Sequence, residues 1–226
     1  LWPEGFPEPW RFVQGPENHD IVYKGREPRV ARLGDPGHPR SWFARSRARV
    51  ATGLSLTAPG IPMLFMGQEF LEDKQWSDDF VSHRDLLLYW AGLDQGDRQM
   101  LDHLRFTREL LALRRRSPAL RGRGFRVTHV HNDNRVLAFH RWVDGEGYDV
   151  MVIVHLANFT RVGYRVGLPG GGDWREVFNS DVYENWINAG VAGNNGRVVA
   201  TAQPLHGFGY SADIVLPANS LLIFSR

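Results

Sequence analysis

The patterning of this chain changes character near residue 121, and that change limits the folds open to it. Residues 1–121 carry long segments with helical period, joined by Pro- and Gly-rich loops. Residues 122–226 carry short β-branched and aromatic runs separated by turn residues. A chain of 226 residues makes one large domain or two small ones, so the expected division is 1–121 and 122–226.

In the first part, Trp10–Gln14 suits a short strand, ended by Gly15-Pro16. A polar, Pro-rich stretch then runs to Arg40, longer than the usual connection of about 4–6 residues. Ser41 is a natural N-cap for a helix with Trp42, Phe43, Val50, Ala51 and Leu54 on one face, stopped by Pro59-Gly60. Ile61–Met66 is apolar on both faces and is expected to be a buried parallel strand. A second long loop, rich in Asp, Trp and His, leads to a helix whose expected face is Leu101, Leu104, Thr107/Arg108, Leu111 and Arg114, widened by Leu110 and Leu113. Arg114–Arg116 would then sit in its last turn, where cations favour the helix dipole. The order strand, helix, strand, helix is the signature of an α/β fold with parallel strands. In a (β/α)₈ barrel the loops after the strands carry the chemistry, and here those loops are the long ones.

The second part predicts eight strands: Phe125–His131, Arg135–Trp142, Asp149–Ala157, Val162–Leu168, Trp174–Asn179, Arg197–Ala202, Ile214–Leu216 and Ser220–Ser225. Asn132-Asp133-Asn134, Asp144-Gly145-Glu146-Gly147, Pro169–Gly172 and Asn194-Asn195-Gly196 supply the turns. That spacing argues for an antiparallel β-sandwich that closes its own core.

Several function classes drop out. The net charge is +2, with 25 Arg and 2 Lys, and offers no field for a nucleic-acid or membrane partner; a GC-rich coding bias is the simplest account of the Arg excess. With no cysteine there is no disulfide frame, thiolate nucleophile or thiolate metal site. No apolar run approaches the roughly 20 residues needed to span a bilayer as a helix. His129 and His131 share a strand face, but a metal site would need a third ligand, so none is assigned. Gly170–Gly172 lacks the Lys and following helix of a phosphate cradle, and Asn158-Phe159-Thr160 is a glycosylation sequon only in a secretory protein.

Two motifs point to sugar chemistry. Glu17-Asn18-His19-Asp20 follows the first strand. A carboxylate accepts from two vicinal sugar hydroxyls and an imidazole bonds the neighbouring one, and such bonds tighten as the ring flattens toward an oxocarbenium ion. Gly60-Ile61-Pro62-Met63-Leu64-Phe65-Met66-Gly67-Gln68-Glu69-Phe70 places Glu69 at the end of the second strand. In this order, the pair resembles the end of the catalytic barrel of the alpha-amylase superfamily (glycoside hydrolase family 13). Asn158-Phe159-Thr160, Tyr164–Pro169, Trp174–Asp181, His206-Gly207, Ser211-Ala212 and Leu216–Ser220 resemble the 1,4-alpha-glucan (glycogen) branching enzymes of that superfamily.

The resemblance implies the last βαβα portion of a (β/α)₈ TIM barrel, strands 7 and 8 with their helices, followed by the all-β C-terminal domain. It implies that Asp20 is the transition-state-stabilising carboxylate. His19 would bond the sugar in the −1 subsite, beside Asn18, and Glu69 would support the site. Trp76, in the second post-strand loop, is the best candidate for stacking on a sugar ring. Asn18 stands where many branching enzymes have Ser, and Ile21–Pro39 differs from their usual loop, which keeps an amylase-type or trehalose-releasing hydrolase as an alternative. A non-catalytic glucan-binding module is the other. The family's nucleophile aspartate and acid/base glutamate match nothing here. With an opening at Leu1-Trp2-Pro3 and no initiator Met, the chain is expected to be an inactive fragment of a cytoplasmic enzyme, acting on glycogen or amylose without a cofactor. Its expected partner is the missing amino-terminal part or a second copy.

Overall fold

The computed structural model describes residues 1–226. Its helical part contains strand β1 (Val13–Gln14), helix α1 (Val30–Gly34), helix α2 (Trp42–Thr57), strand β2 (Ile61–Pro62), and helices α3 (Trp90–Asp94), α4 (Arg98–Arg116) and α5 (Pro118–Arg121). Ser41 caps α2 as expected, its hydroxyl accepting from the Ala44 amide at 3.2 Å, a contact worth about 1 kcal/mol. Asp97 caps α4 through bonds from the Gln99 and Met100 amides. No helix is long and apolar enough to cross a membrane.

The two long helices bury their expected faces in part. In α4 the expected Thr107, Leu110 and Arg114 are buried together with Met100, Asp102, His103 and Phe106, whereas Leu101 is exposed. The deciding contacts are aromatic: Phe106 lies 5.6 Å from Phe178 and 5.5 Å from Tyr183 between ring centroids. In α2, Ala44, Ala48, Val50 and Leu56 face inward with Arg49, and Phe43 faces out. Gly53 allows α2 a close approach to the sheet, since a Cβ there would meet Leu221 Cδ1 at 2.9 Å. Arg114 does not serve its own helix end. It is buried and donates to the carbonyls of Leu56, Ala58 and Gly60, satisfying the acceptors that the C-terminus of α2 leaves free.

β1 and β2 pair in parallel, Val13 opposite Ile61 and Gln14 opposite Pro62, with α2 between them in sequence. The strands expected over Trp10–Gln14 and Ile61–Met66 shorten to two residues each, and the second is not buried: Ile61 is 47% and Met66 44% exposed. Neither strand has a neighbour on its outer edge, so nothing in the chain extends the ladder. The chain holds one β-α-β unit, not a closed barrel.

The carboxyl-terminal part contains all eight expected strands: β3 (Gly124–His131), β4 (Val136–Trp142), β5 (Asp149–His155), β6 (Arg161–Leu168), β7 (Gly172–Asn179), β8 (Arg197–Ala200), β9 (Tyr210–Leu216) and β10 (Ser220–Ser225). They form an antiparallel six-stranded sheet in the order β3-β4-β5-β10-β7-β8 and an antiparallel pair β6-β9. β9 starts earlier than Ile214 because Tyr210–Asp213, mostly polar, still pairs with β6. One core fills the space between the sheets, with Met151, Ile153, Leu222 and Phe224 facing Val166, Ile214 and Leu216.

The expectation that the strands close their own core is corrected on the other face of the large sheet. Phe139, Val152, Val154, Leu221 and Ile223 pack there with Val50 and Leu56 of α2, Phe106 and Leu110 of α4, and Leu120 of α5 in one continuous core. β5 and β10 are apolar at nearly every position because both faces are covered, one by strands and one by helices.

A buried ion cluster reinforces this junction. Glu184, just after β7, accepts from Arg49 of α2 at 2.8 Å and also from Arg45. Burial pushes the Glu184 carboxyl up, but the two guanidinium groups outweigh it and hold it below its ordinary 4.5. A carboxyl lowered on folding contributes stability above its unfolded value and loses it as pH falls through the folded one. Glu184→Gln is therefore expected to lower the urea midpoint at neutral pH and to flatten its decline below about pH 4.5; equal slopes for variant and wild type would refute the assignment.

Candidate functional site

The two post-strand loops form one surface. After β1 the chain turns at Asn18, whose Oδ1 accepts from the amides of Asp20 and Ile21 at 2.9 and 2.8 Å. This is an Asx turn, the local bonding for which Asn is suited. The side chains of His19 and Asp20 emerge from it, 66% and 73% exposed, with His19 Nε2 and Asp20 Oδ2 3.4 Å apart. The loop after β2 meets this turn at Trp76. The Trp76 indole Nε1 donates to the His19 carbonyl at 2.7 Å. Its backbone pairs in parallel with Tyr23, through bonds to Val22 and Lys24. The ring sits edge-on to His19, Tyr23 and Phe65, with centroids 5.8–6.4 Å apart.

Beneath the surface lies a clamp that nothing local in the sequence marks. Arg29 is fully buried. Its Nη1 donates to Glu17 Oε2 at 2.8 Å and to the Met66 carbonyl at 3.0 Å, and its Nε to the Lys74 carbonyl at 2.7 Å. Its guanidinium lies 4.9 Å from the centre of the Phe65 ring. Glu17 also accepts from the Val30 amide, and burial pushes its carboxyl up against the opposing pull of Arg29. Glu72, equally buried, accepts from the Asp73, Lys74 and Tyr89 amides. One buried cation thus ties the loop after β1 to the loop after β2.

Four of the five expected site residues, Asn18, His19, Asp20 and Trp76, come together here. Glu69 does not join them. It lies in a single turn of 3₁₀ helix, Gln68–Phe70, and lines an open groove with Leu64, Met66, Trp90, Leu104 and Leu111. The histidines of the sandwich have bland partners. His129 Nε2 bonds the Tyr164 hydroxyl at 2.7 Å and its ring stacks on His206, while His131 Nδ1 accepts from the Asn134 amide.

Asp20 thus presents an exposed carboxylate beside the exposed imidazole of His19, both on a backbone held by Asn18 and Trp76.

Comparison with known proteins gives the following likenesses. Residues 127–226 match the family model described as the alpha amylase C-terminal all-beta domain. Over 95% of its length the chain is 32% identical to the 1,4-alpha-glucan branching enzyme GlgB 1 of Xanthomonas euvesicatoria pv. vesicatoria and 33% identical to the GlgB of Pseudomonas syringae pv. tomato. Over 93% of its length it is 36% identical to the GlgB of Rhodococcus jostii. The chain spans 28% of the length of each of these relatives. Among solved structures, the pullulanase of Anoxybacillus sp. LM18-11 complexed with maltotetraose superposes on 98% of this chain and 28% of its own, with a TM-score of 0.63 at 18% identity. An Anoxybacillus alpha-amylase does so over 94% of this chain and 37% of its own, with a TM-score of 0.59 at 19% identity.

Proposed function

We propose that this chain, whose residues 127–226 match the alpha amylase C-terminal all-beta domain, is the carboxyl-terminal part of a 1,4-alpha-glucan branching enzyme of the alpha-amylase superfamily. Such an enzyme cleaves an alpha-1,4 link in glycogen or amylose and passes the released chain to a 6-hydroxyl, forming an alpha-1,6 branch. The observation that carries the reading is the 32–36% identity to branching enzymes over 93–95% of the chain.

In this reading residues 1–121 belong to a (β/α)₈ barrel, with β1 and β2 as its last two strands. Their parallel pairing, the α2 crossover and the long loops after both strands support it. So does the exposed apolar surface at Val13, Ile61, Met66 and Leu101, which the amino-terminal part of the same enzyme, or a second copy, would cover. Asp20 stabilises the oxocarbenium-like transition state, and His19 bonds the sugar beside it. Asn18 shapes their turn, Trp76 borders the sugar site, and Glu69 supports the barrel end from the groove side. The nucleophile and acid/base carboxylates come from the part of the enzyme that this chain does not span.

The rival reading within the superfamily is hydrolysis, in which water replaces the acceptor sugar. Incubation of the full-length enzyme with amylose separates the two. Branching yields new alpha-1,6 links, read by debranching and chain-length analysis, without reducing ends accumulating. Accumulation of short reducing sugars without new branches would overturn the proposal.

A further inference from the structure

The turn beneath His19 and Asp20 is tied at five points. The Asn18 carbonyl accepts from the Val22 amide at 3.1 Å, the His19 carbonyl from the Trp76 indole at 2.7 Å, and the Asp20 carbonyl from Arg26 Nη1 at 3.2 Å. The amides of Asp20 and Ile21 donate to Asn18 Oδ1. Above it, the His19 and Asp20 side chains lie 3.4 Å apart, and save for the edge of the Trp76 ring against His19 they bond no other group. The backbone is thus constrained and the side chains are left free, the arrangement that presenting groups to a ligand requires.

Of the five ties, those from Trp76 and Asn18 meet on the peptide unit between His19 and Asp20, one at its carbonyl and the other at its amide, while Asn18 and Arg26 hold the next unit. We propose that Trp76 and Asn18 are positioning residues of this site: Trp76 holds the His19 carbonyl from the opposite loop, and Asn18 holds the Asp20 and Ile21 amides. The inference rests on the reading of Asp20 as the transition-state-stabilising carboxylate. Stacking on a sugar, the role expected for Trp76 from its loop position, needs only the ring face. The bond to His19 needs the indole N–H, so the two roles separate in kinetics.

The test uses the full-length enzyme with amylose, reading kcat and KM for chain transfer together with the melting temperature. Trp76→Phe keeps an aromatic face and removes the N–H. Positioning predicts that kcat falls about 10- to 100-fold with KM unchanged; stacking alone predicts a near-normal kcat. Asn18→Ala should lower kcat similarly, and Asn18→Ser, which keeps an acceptor oxygen for the turn, should restore most of it. In an Asp20→Asn background, Trp76→Phe should add no further loss. If Asp20→Asn lowers the rate while Trp76→Phe and Asn18→Ala keep wild-type kcat, the positioning role falls and the catalytic reading stands. If Asp20→Asn is itself near normal, the catalytic reading falls first. Should Trp76→Phe fail to fold, the Asn18 pair decides: equal kcat for Ala and Ser overturns the proposal.

Discussion

Replacing Asp20 by Asn in the full-length enzyme is expected to lower the branching rate about 10²- to 10³-fold, a loss of roughly 3–4 kcal/mol in transition-state stabilisation. The substitution keeps the shape of the side chain and removes the charge that would face the oxocarbenium ion. Stability should hardly change. The Asp20 carboxylate is 73% exposed and its one protein contact is the exposed His19 ring, a pairing of little energetic weight. The turn is held instead by Asn18, Trp76 and Arg26, none of which bonds the Asp20 side chain. A fall in kcat with an unchanged melting curve is thus the expected signature, and a variant with near-normal turnover would remove Asp20 from the reaction.

The largest effect on folding is expected at Arg141. Its side chain is fully buried on β4 and meets no carboxylate. It donates instead to three carbonyls: Thr57 at the end of α2 at 2.6 Å, Gly122 at 2.7 Å and Gly124 at 3.0 Å. Burial pushes its guanidinium down to about 9, so holding the charge there has a cost that these bonds must exceed. Arg141→Met keeps most of the aliphatic stem and removes the donor from all three carbonyls, of which the buried Thr57 carbonyl is worth about 1–3 kcal/mol when left without a partner and the half-buried Gly122 and Gly124 carbonyls less. Relief of the buried charge offsets part of the sum, and a net loss of roughly 3 kcal/mol is expected. Chemical denaturation of the 226-residue chain measures it. A variant within about 0.5 kcal/mol of wild type, the range of ordinary surface changes, would show that solvent or relaxation satisfies these carbonyls.

What could be read from the sequence depended on whether the deciding contact was local. The eight strands were legible because Asn-, Asp- and Gly-rich turns bracket each run and the runs are too short for helices. The cap at Ser41 was legible because it involves residues within one turn, and such signals survive folding. The facing of α4 was legible only in part, because the helix is apolar on two sides. Leu110 and Leu111 were expected and do meet the core, but the turn toward Met100 and Phe106 and away from Leu101 is set by Phe178 and Tyr183, far along the chain. The double burial of the large sheet had a signal in the unbroken apolar runs Val150–Val154 and Leu221–Phe224, which an open sheet face would have interrupted with polar residues. At the candidate site, His19, Asp20 and Trp76 stand out by chemistry and loop position, and the structure brings them together. The Glu17–Arg29 clamp beneath them did not stand out, since a buried cation looks in sequence like any surface arginine.

The shared core also sets a schedule for the growing polypeptide. Gly53 lets α2 lie against Leu221, so the helix leaves the ribosome long before the strand it packs on. At roughly 5–20 residues per second, the wait is on the order of ten to thirty seconds. During it, the apolar faces of α2 and α4 have no sheet to rest on. Helix formation itself takes about a microsecond, so the delay in docking comes from translation. Slowing synthesis across the last two strands should lengthen the period in which the nascent chain is open to chaperones and proteases.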